Sequence, residues 1–323
     1  MKETMRAMIY TEFGPPEVLQ LAEIEKPVPT DNEVLIRNHA TTVAKEDPDM
    51  RSTPGLNGIT KPKNPILGMY LAGEIVEIGN NVKRFQVGDK VYGSAAFKYG
   101  AYAEYNCLPE DAALVIMPES ISYQQAAAIP NGAITTVPFL VYLGKVKTGD
   151  EVLITGASGT VGTSAVQLAK YLGARVTGVC SSGKIDLIKS LGSDQVIDYT
   201  QENFTQNGLS YDVIFDTVGS SSYSRCKRSL KPRGVYLTTV PTLEVIPHLL
   251  NPSRKFGRSV KFAATALRPT KKKLIDLAII NQVIDEGKYL PVIDRVFPLE
   301  DIVKAHHYVQ EGHKTGDVVI TTA

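Results

Sequence analysis

Short runs rich in Val, Ile and Tyr are spread along the first 124 residues, with Gly, Pro, Asn or Asp between them. They include RAMIY, EVLIRNHA, GEIVEIG, KVYG and AYAEYNCL. Runs of this composition, bounded by turn residues, predict β-strands. The region is therefore expected to form an all-β domain with irregular turns and a barrel-like arrangement.

The pattern changes near residue 120, where longer apolar segments begin to alternate with helical ones. SYQQAAAIPNGAITTVPFLVYL predicts a helix broken by Pro130 and Pro138. The predicted strands EVLIT, ARVTGVC, QVIDY, YDVIFDTVG and GVYLTTV then alternate with predicted helices at 160–173, 184–191 and 222–230. A helix at 271–286 and a tail of two strands around one amphipathic helix follow. Almost wholly apolar strands between helices predict an α/β fold with a doubly wound parallel sheet covered on both faces.

Length and charge limit the classes of function. A chain of 323 residues predicts two domains. With 35 Lys and Arg against 34 Asp and Glu, no nucleic-acid or membrane partner is expected. Cys107, Cys180 and Cys226 are too far apart to form a disulfide framework or a C-x-x-C pair. MKETMRAMIYTEFG carries no signal-peptide pattern, and a cytoplasmic protein is the expectation.

The segment LITGASGTVGTSAVQLAK, residues 153–170, places three glycines between a predicted strand and a predicted helix. Gly156 and Gly159 allow a sharp turn and a close approach to a pyrophosphate, whose charge is met by the helix N-terminus. Gly162 allows the helix to pack closely on the strand. Because the second strand ARVTGVC follows about twenty residues later, the turn predicts a dinucleotide site.

The end of that second strand bears on which dinucleotide is bound. An Asp or Glu there would accept the ribose 2′-hydroxyl of NAD, but Ser181, Ser182 and Lys184 come before the first acid, Asp186. Two hydroxyls and an ammonium group favour the 2′-phosphate of NADPH. Ser182 could also cap the helix 184–191, and the two roles are compatible.

Together these segments resemble the medium-chain dehydrogenase/reductase superfamily, and most of all its zinc-free quinone oxidoreductase, or zeta-crystallin-like, branch. The resemblance covers the whole chain and includes ILGMYLAGEIVEIGNNVKRFQVGDKVYG, GAYAEYNCLPE, QQAAAIPNGAITT and the tail from PVIDRVFPLEDIV. It implies a GroES-like β-barrel catalytic domain at 1–124, to which 287–323 return, and an inserted NADP-binding Rossmann domain at 125–286. The insertion explains why the glycine turn comes so late in the chain.

The resemblance also implies which residues bind the cofactor. The expected set is Thr135, Gly156, Ser158, Gly159, Thr160, Val161, Ser181, Ser182, Lys184, Tyr199, Val218 and Val240. In relatives, the matching threonine lies near the nicotinamide ribose, the tyrosine flanks the 2′-phosphate and adenine, and the two valines border the nicotinamide. Thr135 could instead bond back to a helix carbonyl, and Tyr199 could simply end a strand.

Zinc-dependent relatives place a Cys and a His-Glu pair at the positions of Ala44, Met69 and Tyr70. Ala and Met cannot supply the three ligands that a catalytic zinc needs, so no metal is expected. Nor do the five histidines (His39, His248, His306, His307 and His313) restore a site, since the adjacent pair would point in different directions on a helix. Without a metal, hydride transfer from NADPH to a quinone or an α,β-unsaturated carbonyl is the reaction that fits best.

The substrate side is less determined. Thr42, Lys45 and Tyr70 are candidates to donate a hydrogen bond to a substrate oxygen, although each could be plain packing or a solvated side chain. Asp317 replaces a lysine that is usual in relatives. The RPTKKK cluster at 268–273 is expected to be the solvated start of a helix.

Other functions remain open. The turn also fits short-chain dehydrogenases, with Tyr223 and Lys227 as a Y-x-x-x-K pair, but in that family the turn opens the chain and the pair follows the fifth strand. A non-enzymatic NADPH-binding module and an aldehyde or alcohol dehydrogenase of the same superfamily are the alternatives retained. Relatives pair the edge strands of their nucleotide domains, so a homodimer is expected.

Overall fold

The computed structural model describes residues 2–240 and 257–322, which form two compact units. The first unit comprises Met1–Asn131, Pro269–Asn281 and Leu290–Ala323. The second comprises Gly132–Arg268 and Gln282–Tyr289. His248 lies outside the described residues.

Strands and helices follow the predicted order along the chain. The strands are β1 (Thr4–Ile9), β2 (Gln20–Glu25), β3 (Glu33–Thr42), β4 (Tyr70–Ile78), β5 (Lys90–Ser94), β6 (Tyr105–Pro109), β7 (Ala113–Ile116), β8 (Glu151–Thr155), β9 (Arg175–Cys180), β10 (Gln195–Asp198), β11 (Tyr211–Asp216), β12 (Leu230–Thr238), β13 (Ser259–Phe262), β14 (Ile293–Pro298) and β15 (Asp317–Thr321). The helices are α1 (Asp47–Ser52), α2 (Tyr123–Ala127), α3 (Pro130–Val137), α4 (Thr160–Tyr171), α5 (Ile185–Ser190), α6 (Tyr223–Cys226), α7 (Thr270–Asp285) and α8 (Ile302–Gln310).

The first unit is built on a sheet in the order β14-β15-β3-β4-β5-β7, with β6 paired to β3. The strands β1 and β2 form a separate antiparallel pair. Alternate residues of β3, Val34 and Ile36, point into one apolar cluster together with Leu71 and Ile75 of β4. The strands expected from the short Val- and Ile-rich runs are present, although α1 interrupts the all-β pattern between β3 and β4, and the tail supplies the two further strands.

The second unit is built on a parallel sheet in the order β10-β9-β8-β11-β12-β13. Val152, Leu153 and Ile154 of β8 are all fully buried, because a parallel strand covered on both faces has no solvent side. The helix α4 packs on β8 and β9, and α5 packs on β9 and β10. The predicted α/β class, a doubly wound sheet inserted into a GroES-like domain, is confirmed.

Two local predictions differ from the structure. The helix expected at 222–230 is α-helical only over Tyr223–Cys226, since Leu230 already pairs with Tyr211 in the sheet. Lys273, expected to be solvated, is only 5% exposed. The predicted breaks at Pro130 and Pro138 are present, since α3 begins at Pro130 and Pro138–Gly144 form a π-helix.

The order of the strands in the second unit fixes where a ligand can bind. Successive strands move in one direction from β8 to β10 and in the other from β11 to β13. Ligands of such sheets bind beyond the carboxyl ends of the strands, where the order reverses, between β8 and β11. In the described part of the chain, no helix is both long and apolar enough to cross a membrane.

Candidate nucleotide-binding and active site

The three glycines of the turn after β8 differ in what surrounds them. A Cβ on Gly162 would lie 2.0 Å from the carbonyl oxygen of Gly156, so the chain's own packing requires that glycine. Gly156 has a φ of +63°, and a Cβ there would lie 2.6 Å from Val218. A Cβ on Gly159 would meet only one backbone oxygen, at 3.6 Å. Folding does not demand glycine at 159, and the space beside it suits a pyrophosphate.

That space lies at the start of α4. Gly159 is the N-cap and offers no side-chain acceptor to the first turn, which also contains no acid. The N-terminus of the twelve-residue helix therefore presents backbone N–H groups and the positive end of its dipole to an anion. The hydroxyl of Thr136 donates to the carbonyl oxygen of Val161 at 3.3 Å, which ties α3 to this turn.

An acid that sequence reasoning missed lies beside the predicted 2′-phosphate residues. Asp198 ends β10 directly opposite Cys180 of β9 and accepts a hydrogen bond from the Ser182 hydroxyl. It also accepts one from the hydroxyl of Thr200, at 2.7 Å. These bonds lower the pKa of the Asp198 carboxyl and keep it ionised. The Ser182 hydrogen therefore points at Asp198 and neither caps the helix nor faces a phosphate.

The other donors of this turn are Ser181 and Lys184. Both follow β9, and among the described residues Lys184 has no ion-pair partner. Tyr199 follows Asp198, donates its N–H to the carbonyl oxygen of Cys180 at 3.1 Å and leaves its side chain 64% exposed. An exposed aromatic ring can stack on a base, and an ammonium group without an ion-pair partner can bind a phosphate.

The loops after β11 and β12 lie on the opposite side of the reversal point. Val218 and Val240 are 42% and 36% exposed. Gly219 has a φ of +69°, and a Cβ there would lie 2.9 Å from Val240, so the two loops are in contact. Together they present an apolar surface that suits a flat ring.

Thr135 lies on α3 with its hydroxyl 3.4 Å from the hydroxyl of Thr265. The hydroxyl that bonds to a backbone carbonyl is that of its neighbour Thr136. The alternative that Thr135 bonds back to a helix carbonyl is therefore not what the structure shows. The hydroxyl of Thr135 is half-buried and retains bonding capacity for a ribose.

The three candidates for the substrate side lie in the first unit. Thr42 ends β3 and Tyr70 begins the antiparallel strand β4, so both lie at the same end of the sheet. The Thr42 hydroxyl is fully buried and has no hydrogen-bond partner among the described residues. Burial, followed by the charges of Glu46 and Asp47, holds the pKa of the Tyr70 phenol well above its usual value. Lys45 is exposed just beyond β3.

A buried polar cluster beside these residues was not predicted. The Oδ2 atom of Asp47 accepts hydrogen bonds from the N–H of Ala44 and the hydroxyl of Tyr102, both at 2.8 Å. Its Oδ1 atom has no partner within the described residues. Burial raises the pKa of Asp47 to about 7. The carboxyl is therefore partly protonated near neutral pH.

His306 completes this cluster. Arg51 is fully buried and places Nη1 3.0 Å from Nδ1 of His306. Since a guanidinium can only donate, Nδ1 must be the unprotonated nitrogen and Nε2 carries the hydrogen. Burial and the adjacent Arg51 charge lower the pKa of His306 to about 3. His307 points outward to Glu17, so the two histidines point in different directions as predicted.

Comparisons with known proteins show to which family the chain belongs. Residues 30–119 match the family described as alcohol dehydrogenase GroES-like domain, and residues 191–320 match zinc-binding dehydrogenase. The chain is 31% identical to a 2-methylene-furan-3-one reductase of Solanum lycopersicum, over 98% of this chain and 79% of that protein. It is 30% identical to an NADPH-dependent alkenal/one oxidoreductase, chloroplastic, of Arabidopsis thaliana, with the same coverage.

The structure gives the same result. The quinone oxidoreductase from Coxiella burnetii superimposes with a TM-score of 0.86 at 30% identity, over 99% of this chain and 100% of that one. This chain belongs to the quinone oxidoreductase branch of the medium-chain dehydrogenase/reductase superfamily.

The superfamily contains both zinc-dependent and zinc-free enzymes, and one of the matching families is described as zinc-binding dehydrogenase. In this quinone oxidoreductase-like chain, Ala44 is fully buried and Met69 is 8% exposed at the positions where zinc-dependent relatives have ligands. Residues 2–240 and 257–322 bring together no group of three His, Cys, Asp or Glu side chains that could hold a metal ion.

Proposed function

We propose that this protein is an NADPH-dependent, zinc-independent oxidoreductase that transfers hydride to a quinone or an α,β-unsaturated carbonyl. The observation that carries the proposal is the carboxyl edge of the second unit. There, an uncapped helix N-terminus beside Gly159, the cation of Lys184 and the apolar surface of Val218 and Val240 follow neighbouring strands. This order suits a pyrophosphate, a 2′-phosphate and a nicotinamide ring.

The residues of the edge fit NADPH better than NADH. No acid ends β9, where a carboxylate would select the ribose diol of NAD, and Lys184 supplies a positive charge there. Asp198 lies beside this turn, and its two oxygens already accept hydrogen bonds from Ser182 and Thr200. We assign Ser181 and Lys184 to the 2′-phosphate, Tyr199 to the adenine, and Ser158, Thr160 and Val161 to the pyrophosphate. The name of the Arabidopsis relative specifies NADPH, which supports the same choice.

When bound, NADPH supplies a hydride to an electron-poor carbon of the acceptor. The protein's part is to hold the acceptor and to stabilise the charge that develops on its oxygen. Tyr70 keeps its proton because of burial, and Thr42 has a hydroxyl without a partner among the described residues, so both can donate to an oxyanion. Lys45 can supply positive charge at the same end of the sheet. We assign the substrate side to these three residues of the range 1–124.

Zinc independence follows from the donor chemistry at the positions where zinc-dependent relatives bind the metal. Alanine has no donor atom, and a methionine thioether is a poor ligand for zinc. Without a Lewis acid, a saturated alcohol lacks the activation that its oxidation requires. Acceptors that are already electrophilic, as the names of the tomato and Coxiella proteins indicate for those relatives, need only positioning.

The experiment is a panel of acceptors. NADPH consumption is followed with quinones, enones and saturated aldehydes, and NADP⁺ reduction is followed with alcohols, each with and without a chelator of divalent metals. We expect turnover with quinones or enones that the chelator does not change. Turnover restricted to alcohols or saturated aldehydes would contradict the proposal, as would loss of activity on chelation. Tight NADPH binding without turnover on any acceptor would identify a binding module instead.

Two further assignments belong to the proposal. The strand β13 is at the edge of the sheet of the second unit, with a side that pairs with no other described strand, and we assign it to a homodimer interface. The three cysteines are buried and form no disulfide, which suits a reducing compartment such as the cytoplasm. Light scattering and cell fractionation test these two points.

A further inference from the structure

Asp216 is a fully buried carboxylate at the end of β11, next to the point where the strand order reverses. Its Oδ1 atom accepts hydrogen bonds from the hydroxyl of Thr155 at 2.8 Å, the N–H of Val218 at 3.2 Å and the N–H of Gly219 at 2.9 Å. The first donor ends β8, and the other two belong to the loop that follows β11. One oxygen therefore connects the glycine-turn strand to that loop.

The second oxygen extends the connection. Oδ2 accepts from the N–H of Ser221 at 3.0 Å and from the hydroxyl of Tyr236 at 2.8 Å. Tyr236 lies on β12 and is buried beside the carboxylate, which raises the pKa of its phenol and keeps it a donor. Both oxygens of Asp216 are thus bonded, and three neighbouring strands contribute to the site.

The loop formed by residues 217–221 is held from its other side as well. The hydroxyl of Thr217 donates to the carbonyl oxygen of Thr155 at 2.8 Å. The hydroxyl of Thr239 donates to the carbonyl oxygen of Thr217 at 3.1 Å. Val218 and Val240 remain exposed on this framework. The bonds to Asp216 therefore fix backbone whose exposed side chains face outward at the carboxyl edge.

An amide could not replace this carboxylate without loss, because the site needs two accepting oxygens. A carboxylate offers two oxygens and only accepts, whereas an amide has one oxygen and an NH₂ group. With asparagine, the donors now bonded to one of the two oxygens would face another donor. Burying a charge is unfavourable unless donors surround it, and here they come mainly from the loop beside the valines.

We propose that Asp216 is a positioning residue that shapes the loop 217–221 to receive the nicotinamide ring. This inference rests on the proposed function, because that function places the nicotinamide against Val218 and Val240. It predicts that loss of the carboxylate affects the nicotinamide end of the cofactor and spares the phosphate end, where Gly159 and Lys184 lie on other loops.

The test compares Asp216→Asn with the wild-type protein by calorimetric binding of NADPH and of 2′-phospho-ADP-ribose, which lacks the nicotinamide. We expect the dissociation constant of NADPH to rise about tenfold, while that of the fragment changes by less than about twofold. The fluorescence that bound NADPH gains from an ordered nicotinamide should fall in parallel. Equal weakening of both ligands, or of neither, would overturn the inference.

Two variants keep the test decisive. Tyr236→Phe removes a bond to the same carboxylate from β12 and leaves the loop bonds in place, so it should lower the melting temperature without changing the affinity for NADPH. Gly219→Ala disturbs the loop while keeping the carboxylate itself in the chain, because its φ is +69° and its Cβ would lie 2.9 Å from Val240. It should reproduce the selective loss even if Asp216→Asn does not fold. Selective loss in Tyr236→Phe, or its absence in Gly219→Ala, would contradict the assignment.

Failure of the proposed function gives a different result. If the wild-type protein binds neither NADPH nor the fragment, the proposed function is wrong and the inference is lost with it. If the wild-type protein binds both, and the Asp216→Asn losses are equal, only the inference is wrong.

Discussion

Asp216 in the second unit and Asp47 in the first are both fully buried, but the chain supplies them with donors very differently. Asp216 has three donors on one oxygen and two on the other. Asp47 has two donors on one oxygen and none, among the described residues, on the other. Burial raises the pKa of Asp47 to about 7, so its carboxyl can take up a proton near neutral pH. The donors around Asp216 instead hold the loop after β11 in one shape.

The largest difference between variants of Asp216 and variants of Asp47 should be in their stability. Asp216→Ala removes the acceptor of five donors, of which the hydroxyls of Thr155 and Tyr236 are buried, at about 1–3 kcal/mol for each buried donor that finds no new partner. We expect the melting temperature at pH 8 to fall by about 10 °C or more. Asp47→Ala should lower it much less, because the ionised Asp47 is itself unfavourable. Calorimetry of both variants at pH 8 checks this, and similar losses would contradict the comparison.

The pH dependence of stability sharpens the comparison. Burial raises the pKa of Asp47 from 3.8 to about 7, so the folded state holds the extra proton between these values and Asp47 makes stability fall as pH rises. Burial lowers the pKa of His306 from 6.5 to about 3, so there the unfolded state holds the extra proton and stability rises with pH. The two effects oppose each other between pH 3.8 and 6.5.

Replacing one of the two groups should reveal the pH dependence of stability that the other group produces. In Asp47→Asn, the slope of the free energy of unfolding against pH across that interval should be more positive than in the wild-type protein, by up to about 1.4 kcal/mol per pH unit. In His306→Gln, which keeps an acceptor for Arg51, the slope should be more negative than in the wild-type protein by a similar amount. Urea titrations at several pH values measure both slopes. Parallel slopes in the two variants would show that these groups do not titrate as their burial requires.

A smaller effect is expected on the selectivity between NADPH and NADH when Lys184 is replaced. Lys184→Ala removes the positive charge after β9, and we expect the preference for NADPH over NADH to fall about tenfold in kcat/KM. The matched control is Lys189→Ala, a lysine of the last turn of α5, which should leave the preference unchanged. An unchanged ratio in Lys184→Ala would remove this residue from the 2′-phosphate site.

The smallest effects on stability should come from two adjacent threonines of the first unit. The hydroxyl of Thr41 donates to the carbonyl oxygen of Tyr70 at 2.6 Å, whereas that of Thr42 has no partner among the described residues. Thr41→Val should therefore destabilise by about 1 kcal/mol, and Thr42→Val by nothing. If Thr42 donates to the substrate, Thr42→Val should nevertheless lower kcat by about fivefold. Unchanged kcat would make Thr42 a packing residue.

The glycine turn and the buried strand before it could be predicted because their signals are local. A turn that approaches a phosphate needs glycine, and a strand covered on both faces is apolar throughout, so both are visible in residues 151–162. The helix at 222–230 was predicted too long because its local pattern does not show that Leu230 pairs with Tyr211.

The acids of the site could not be placed in the same way. Asp198 is sixteen residues from Ser182, and Asp216 is 61 residues from Thr155, so only the pairing of parallel strands brings them together. A signal was nevertheless present, since QVID and YDVIFD both end in Asp at the carboxyl edge of the sheet. The cluster of Asp47, Tyr102 and His306 needs the return of the tail to the first unit, which no local pattern encodes.

Transfer of a labelled hydride tests the central claim most directly. The protein is incubated with a simple α,β-unsaturated ketone and NADPH that carries deuterium at the transferred position of the dihydronicotinamide ring, and the product is examined by mass spectrometry and NMR. The account predicts a saturated ketone with one deuterium on the β-carbon, formed equally in the presence of a metal chelator. An allylic alcohol with the label on the carbon that bears the hydroxyl, or a saturated ketone without the label, would contradict it.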